Sequence, residues 1–294
     1  MARDDAMTTQ ATFETVLSQV DTWGAVHAAA AVLGPAGVIA VRGEDRRVYR
    51  WASVTKLVTA LATLIAADRG LLDLDEPAGP PGATVRHLLA HASGLPFDGE
   101  ALLARPGTRR VYSNPGFDAL GTLVAARAGL PFDATLQAWV LEPLGMTGTT
   151  LVGRPSQGLQ GPLRDLVAFA RELLRPTLVR PQTLADAMRV AFPGLVGVVP
   201  GVGRFDPCDW GLGFELHDGK VPHWMGARNS PATFGHFGGT GTFLWVDPAV
   251  DHALVVLTER DFGPWALDAW PALSDDVLAA VSSGGQHDRT VRDP

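Results

Sequence analysis

Phe13, Val16, Leu17, Val20 and Trp23 recur at the three- and four-residue spacing of one helix face, which predicts a helix over residues 12–30. The next stretch, AAAVLGPAGVIAVRGEDRRVYRWAS, predicts two short strands with a polar turn at Gly43–Asp45. SVTKLVTALATLIAADRG is apolar almost all round, the pattern of a buried helix rather than an amphipathic one. Gly70 supplies its C-terminal cap. Residues 84–190 carry five helical patterns separated by Gly/Pro-rich loops: TVRHLLAHAS, GFDALGTLVAARAG, PFDATLQAWVLEPLG, GPLRDLVAFARELL and RPQTLADAMRVA. Strand patterns return in DWGLGFEL, TGTFLWVDP and DHALVVLTER, the last two reading as an antiparallel hairpin. A helix in PWALDAWPALSDDVLAAVSS closes the pattern.

Strands and helices are segregated rather than alternating, so the expected fold class is α+β. We expect an antiparallel sheet built from both chain ends, residues 12–75 and 205–283, with a mainly helical lobe, 76–204, inserted. The tail 284–294 is expected to be disordered.

Composition narrows the function. The chain has 294 residues, enough to bury a large interior. Its net charge of −7 argues against a nucleic-acid face. No apolar run is long enough for a membrane span, and the N-terminus lacks a signal-peptide pattern, so a cytoplasmic location is expected. Cys208 is the sole cysteine, which excludes an internal disulfide or a CxxC metal site. Its surroundings, RFDPCDWG, offer no adjacent base, so a reactive thiol is not expected. The histidines show no close ligand pair, and no metal or organic cofactor is expected.

Lysine is rare here. Of 24 basic residues only Lys56 and Lys220 are lysines. Lys56 lies in the buried helix pattern, three residues after Ser53, so the two share a helix face one turn apart. Ser53 falls at the helix start, where unpaired N–H groups favour negative charge. A serine there can attack a carbonyl if a base takes its proton. A lysine in apolar surroundings has a lowered pKa and can serve as that base. The competing reading is a capping serine and a lysine reaching out to water.

Two further segments shift that balance. RRVYSNPGFDALG puts Tyr112 and Asn114 in a turn before a helix, where side chains can enter a cleft. FGHFGGTGTFLWVDP puts His236, Gly238 and Gly239 at a strand, where glycines admit close substrate approach. Singly these read as a buried tyrosine, a loop histidine and a bulge.

Taken in order, Ser53-Val54-Thr55-Lys56, Tyr112-Ser113-Asn114 and His236-Phe237-Gly238 resemble the motifs of the serine β-lactamase-like superfamily. That superfamily contains class C β-lactamases, penicillin-binding proteins, D-alanyl-D-alanine carboxypeptidases and related esterases. GLLDLDEP, LLAHASGLP, LEPLGMTGT and WGLGFEL support the resemblance, which covers roughly residues 25–280. It implies that Ser53 is acylated, that Lys56 and Tyr112 share acid and base work, and that Asn114 orients Lys56 and substrate. It also implies an oxyanion hole from the N–H groups of Ser53 and Gly239, beside His236 and Gly238.

The third motif departs from the Lys-Thr-Gly of lactamases and many penicillin-binding proteins. Histidine is mostly neutral at pH 7 and Phe237 has no hydroxyl, which weakens a grip on a substrate carboxylate. Phe237 is expected at the cleft edge, beside an apolar acyl group. The expected activity is an esterase-like serine hydrolase acting on a small-molecule ester or amide, with weak β-lactamase or D-amino-acid peptidase activity beside it. A catalytically weak binding or regulatory protein and an acyltransferase are the alternatives.

Overall fold

A computed structural model describes residues 2–290, with side chains described for 10–283. α1 (Ala2–Leu17) is followed by a 3₁₀ turn and then β1 (Ala28–Gly34), β2 (Gly37–Arg42) and β3 (Val48–Arg50). The helix expected over 12–30 therefore stops at Leu17. The alanine-rich stretch after it is a strand because β11 and β2 flank it on both sides, and tertiary pairing overrides the helical preference of alanine.

α2 (Thr55–Asp68) follows a 3₁₀ turn at Ala52–Val54, and α3 (Val85–Leu89) and α4 (Asn114–Ala128) come next. α5 (Phe132–Leu136) runs into a π turn, followed by β4 (Thr150–Leu151), β5 (Leu159–Pro162), α6 (Leu163–Leu174) and α7 (Pro181–Ala187). β6 (Gly197–Val199) and β7 (Gly203–Phe205) form a small hairpin. β8 (Glu215–Leu216), β9 (Phe234–Gly238), β10 (Thr242–Asp247), β11 (His252–Thr258) and α8 (Pro264–Thr290) complete the chain.

The main sheet has the order β2-β1-β11-β10-β9-β8, antiparallel throughout. This is the expected α+β arrangement, an antiparallel sheet flanked by helices. Strand alternation divides the core into two layers. Ala29, Ala31, Leu33, Leu244, Val246, Val255 and Leu257 face α2, α4 and α6. Ala30, Val32, Phe243, Trp245, Leu254 and Val256 face the opposite layer, with Trp270 and Val277 of α8.

Within the expected helical insert, two pieces lie elsewhere. α6 packs on β1, β10 and β11, and β5 pairs with β3 in a second sheet, β3-β5-β4. Of the expected tail, the backbone of 284–290 continues α8, and 291–294 lie outside the described residues. Among the described residues no helix is long and apolar enough to cross a membrane.

α2 positions the site. It is buried from Thr55 to Ala66, with sheet residues on one side and α4 on another. The expected cap at Gly70 is present, with φ of +69° and N–H bonded to the Ala67 carbonyl at 2.9 Å.

Candidate active site

Ser53 sits in the 3₁₀ turn that leads into α2. The residue before it, Ala52, has φ of +46°, a left-handed conformation that costs a non-glycine residue about 1–3 kcal/mol. Backbone strain of this kind beside a candidate nucleophile holds the serine at a sharp corner. Neither the Ser53 nor the Gly239 N–H has an acceptor among the described residues, so both remain available to a developing oxyanion.

Lys56 is fully buried, and three oxygens meet its amine. Ser53 Oγ lies at 3.1 Å, Asn114 Oδ1 at 2.6 Å and the Ser156 carbonyl at 2.9 Å. The Tyr112 ring lies 4.8 Å from Nζ. Burial pushes the Lys56 pKa down to about 7, Asp118 and Asp98 pull it partly back up, and Arg154 lowers it again. A neutral amine has two N–H bonds and one lone pair. The Ser156 carbonyl and Asn114 Oδ1 accept and do not donate, so they take the two N–H bonds. The lone pair then faces the Ser53 hydroxyl, the geometry of a general base.

α4 delivers Tyr112 and Asn114. Ser113 is its N-cap, with Oγ accepting from Gly116 N–H at 3.1 Å, and Pro115 occupies the first turn. Tyr112 and Asn114 flank this cap and both enter the site. The Tyr112 hydroxyl lies 3.4 Å from His236 Nε2. Burial raises the phenol far above its ordinary pKa, and a hydrogen bond with Ser53 opposes the rise in part. His236 Nδ1 lies 2.6 Å from the Phe237 carbonyl, so it carries the ring proton and leaves Nε2 as acceptor for Tyr112. Burial lowers the His236 pKa to about 4, and the neighbouring Lys56 adds to the effect.

Of the seven sequence candidates, Ser53, Lys56, Tyr112, Asn114 and His236 meet through these contacts, with Gly238 and Gly239 following His236 at the end of β9. Gly238 packs on the segment before the serine, and a β-carbon there would lie 2.4 Å from the Trp51 carbonyl oxygen. At Gly239 a β-carbon would meet nothing within 4 Å.

Phe237 departs from expectation. It is 92% buried, packed on Trp224, Phe262 and Trp270 away from the cleft. On a strand it must face opposite to His236. The exposed aromatic ring near the site is instead Phe97, lying nearly parallel to Tyr112 at 5.7 Å.

Sequence reasoning assigned no role to His91, Arg110, Trp210 or Ser156. His91 Nδ1 accepts from the Ser113 N–H at 3.1 Å, and its ring stacks on Tyr112 at 4.4 Å. Arg110, buried despite its charge, donates to the Ala90, Ala191 and Cys208 carbonyls and ties together the loops behind Tyr112. Trp210 closes the same wall, 5.8 Å from His236. Lys220 is buried too, donating to the Asp209 carbonyl at 2.9 Å, so both lysines occupy interior positions. Burial pushes the Cys208 thiol up to about 11, as suits an unreactive cysteine.

Comparison with known proteins places the chain among its relatives by sequence and by fold. A segment of 154 residues is 30% identical to the D-alanyl-D-alanine-carboxypeptidase/endopeptidase AmpH of Escherichia coli, covering 40% of each chain. Esterase EstB of Burkholderia gladioli is 29% identical over 163 residues, 40% of this chain and 42% of its own. The chain thus matches less than half the length of these curated relatives. The crystal structure of a β-lactamase (Mb2281c) from Mycobacterium bovis superposes with a TM-score of 0.89 at 54% identity, covering 90% of this chain and 99% of that one. EstCE1, titled a hydrolase with promiscuous acyltransferase activity, shares the fold at 17% identity and a TM-score of 0.73, covering 94% of this chain and 99% of its own. The family model described as Beta-lactamase matches residues 22–279, and the chain belongs to the β-lactamase family.

Proposed function

We propose that this protein is a serine hydrolase that cleaves small esters through an acyl-enzyme at Ser53, with amides as slower substrates. The observation that carries this reading is the Lys56 amine, whose two N–H bonds are taken by Asn114 Oδ1 and the Ser156 carbonyl while Ser53 Oγ lies 3.1 Å away.

In this mechanism Lys56 takes the Ser53 proton as Oγ attacks the substrate carbonyl. The oxyanion forms against the N–H groups of Ser53 and Gly239, each donor contributing about 3 kcal/mol to the transition state. Collapse expels the alcohol, which takes its proton from Lys56 through the Tyr112 hydroxyl. Water, activated by the same pair, then releases the acid and frees Ser53. Tyr112 enters as a neutral phenol, since burial opposes its ionisation and the neutral His236 supplies no compensating cation.

That neutral histidine also bears on substrate choice. His236 stays uncharged above about pH 4, so the third motif offers no cation to a substrate carboxylate. This favours an uncharged ester over a penicillin or a D-Ala-D-Ala terminus. Phe97, half exposed beside Tyr112, offers an apolar face to the acyl or alcohol group.

The test is intact-protein mass spectrometry with p-nitrophenyl acetate and butyrate, and in parallel with nitrocefin and penicillin G. The expected result is an acyl adduct or turnover with the esters, weaker reaction with the lactams, and loss of both in Ser53→Ala. A folded protein that takes no acyl group from any probe would replace this reading with a binding or regulatory role.

A further inference from the structure

The two oxygens that occupy the N–H bonds of Lys56 lie on different segments, and one arginine joins them. Asn114 Oδ1 faces Lys56 only while its amide keeps one of two orientations, and Asp98 selects it: Asp98 Oδ2 accepts from Asn114 Nδ2 at 3.3 Å. The Ser156 carbonyl belongs to the 154–156 segment. Asp118 of α4 accepts from the Ser156 N–H at 3.1 Å, and Thr59 of α2 donates to the Pro155 carbonyl at 2.6 Å. Arg154 spans both carboxylates. Its Nη1 donates to Asp98 Oδ1 at 3.0 Å and its Nε to Asp118 Oδ2 at 2.8 Å, with Nη2 on the same Asp118 oxygen.

We propose that Arg154, bridging Asp98 and Asp118, is the positioning residue that fixes both acceptors of the Lys56 amine and so keeps its lone pair on Ser53. The inference deepens the hydrolase reading and rests on it. Arg154 touches neither Ser53 nor Lys56 through any hydrogen bond of its own, so its effect is indirect. An isolated surface ion pair contributes little, but here each carboxylate also grips a polar group of the site.

The bridge has an electrical consequence as well. Lys56 is faced by Ser53 from its own helix, by Tyr112 and Asn114 at the start of α4, by His91 from the α3 loop and by His236 from β9. Both histidines are held neutral by burial. Of the charged groups acting on Lys56, Asp98 and Asp118 favour its ammonium and Arg154 opposes it. Removing the arginine leaves two carboxylates unopposed.

The experiment uses the fact that only two lysines exist. Full-length protein labelled with ¹³Cε-lysine gives two signals, which Lys56→Arg and Lys220→Arg assign. The Lys56 signal is titrated in wild type, Arg154→Gln, Arg154→Lys and Asp98→Asn, with thermal unfolding as the folding control. Acylation of Ser53 by p-nitrophenyl acetate is followed over the same pH range. Arg154→Gln should move the Lys56 midpoint to higher pH and cut the plateau acylation rate about ten- to a hundredfold, the scale expected for a slightly misplaced catalytic group. Asp98→Asn should move the midpoint to lower pH. Arg154→Lys keeps the charge but not the two-sided bridge, so its midpoint should stay near wild type while the plateau rate falls.

Midpoints and plateau rates that stay at wild-type values in folded Arg154→Gln and Arg154→Lys would overturn the proposal. So would shifts of the same sign in Arg154→Gln and Asp98→Asn, the mark of a general structural loosening. If wild-type Ser53 takes no acyl group, the hydrolase reading fails, while the lysine titration still decides whether the bridge governs Lys56.

Discussion

Gly238 lies flush against Trp51, so close that a β-carbon on the glycine would sit 2.4 Å from the tryptophan's carbonyl oxygen. The same carbonyl accepts from Thr242 Oγ1 at 3.0 Å. The end of β9 and the start of β10 thus hold the backbone just ahead of Ser53. Gly238→Ala should force these segments apart, cost about 1–3 kcal/mol and depress acylation. Gly239→Ala meets open space, so its Tm should match wild type while its methyl group raises KM for bulky esters. Thermal melts and ester kinetics on the two variants check the contrast. Equal Tm losses would contradict it.

Ser53→Ala should abolish the acyl adduct and leave the fold in place. Its hydroxyl bonds are local to the site, so the stability change should be within about 1 kcal/mol. Denaturant melts beside mass spectrometry measure both effects, and turnover by a folded Ser53→Ala protein would assign the nucleophile elsewhere.

Lys56→Arg should be inactive, because a guanidinium keeps its proton. In wild type the acylation rate should rise with pH through about 7, where the buried amine loses its proton, and show no limb from His236, which titrates near 4. A pH–rate profile from 5 to 9 is the check. A rate that fell with pH through 7 would assign Lys56 an acid role instead.

The same amine links stability to pH. Unfolded, Lys56 releases its proton near 10.4; folded, near 7. Between those values the unfolded chain holds the extra proton, so wild-type stability relative to Lys56→Met should rise with pH, by at most about 1.4 kcal/mol per unit. Below about 7 and above 10.4 the difference should be flat. Urea melts of both proteins at intervals across the range supply the curve.

The residues of the candidate site were legible in the sequence because they sit at fixed spacings in contrasting surroundings. Lys56 is conspicuous in an apolar helix, and Tyr112 and Asn114 flank a helix cap. The strand hairpin of β10 and β11 was legible as two short apolar runs separated by a Pro-containing turn. The helix expected over 12–30 ran too far because alanine favours helix, and only pairing with β2 and β11 makes the alanine-rich stretch a strand. Phe237 was misplaced although period-two alternation already puts it opposite His236. Asp98, Arg154 and Asp118 carried no signal, since half-exposed charges far apart in sequence become a bridge only when three segments fold together. Arg110 was hidden by the ordinary expectation that arginine lies outside.

The order of strands in the main sheet sets a schedule for the newborn protein. β1 emerges early yet borders β11, the last strand among the described residues, and Gly239, the proposed oxyanion donor, follows Ser53 by most of the chain's length. Domains fold as units during synthesis. A ribosome-bound chain halted before β9 holds Ser53 and Lys56 without His236 or Gly239. On the proposed hydrolase reading, the growing polypeptide therefore has no complete site until β9 and the glycines after it have been made.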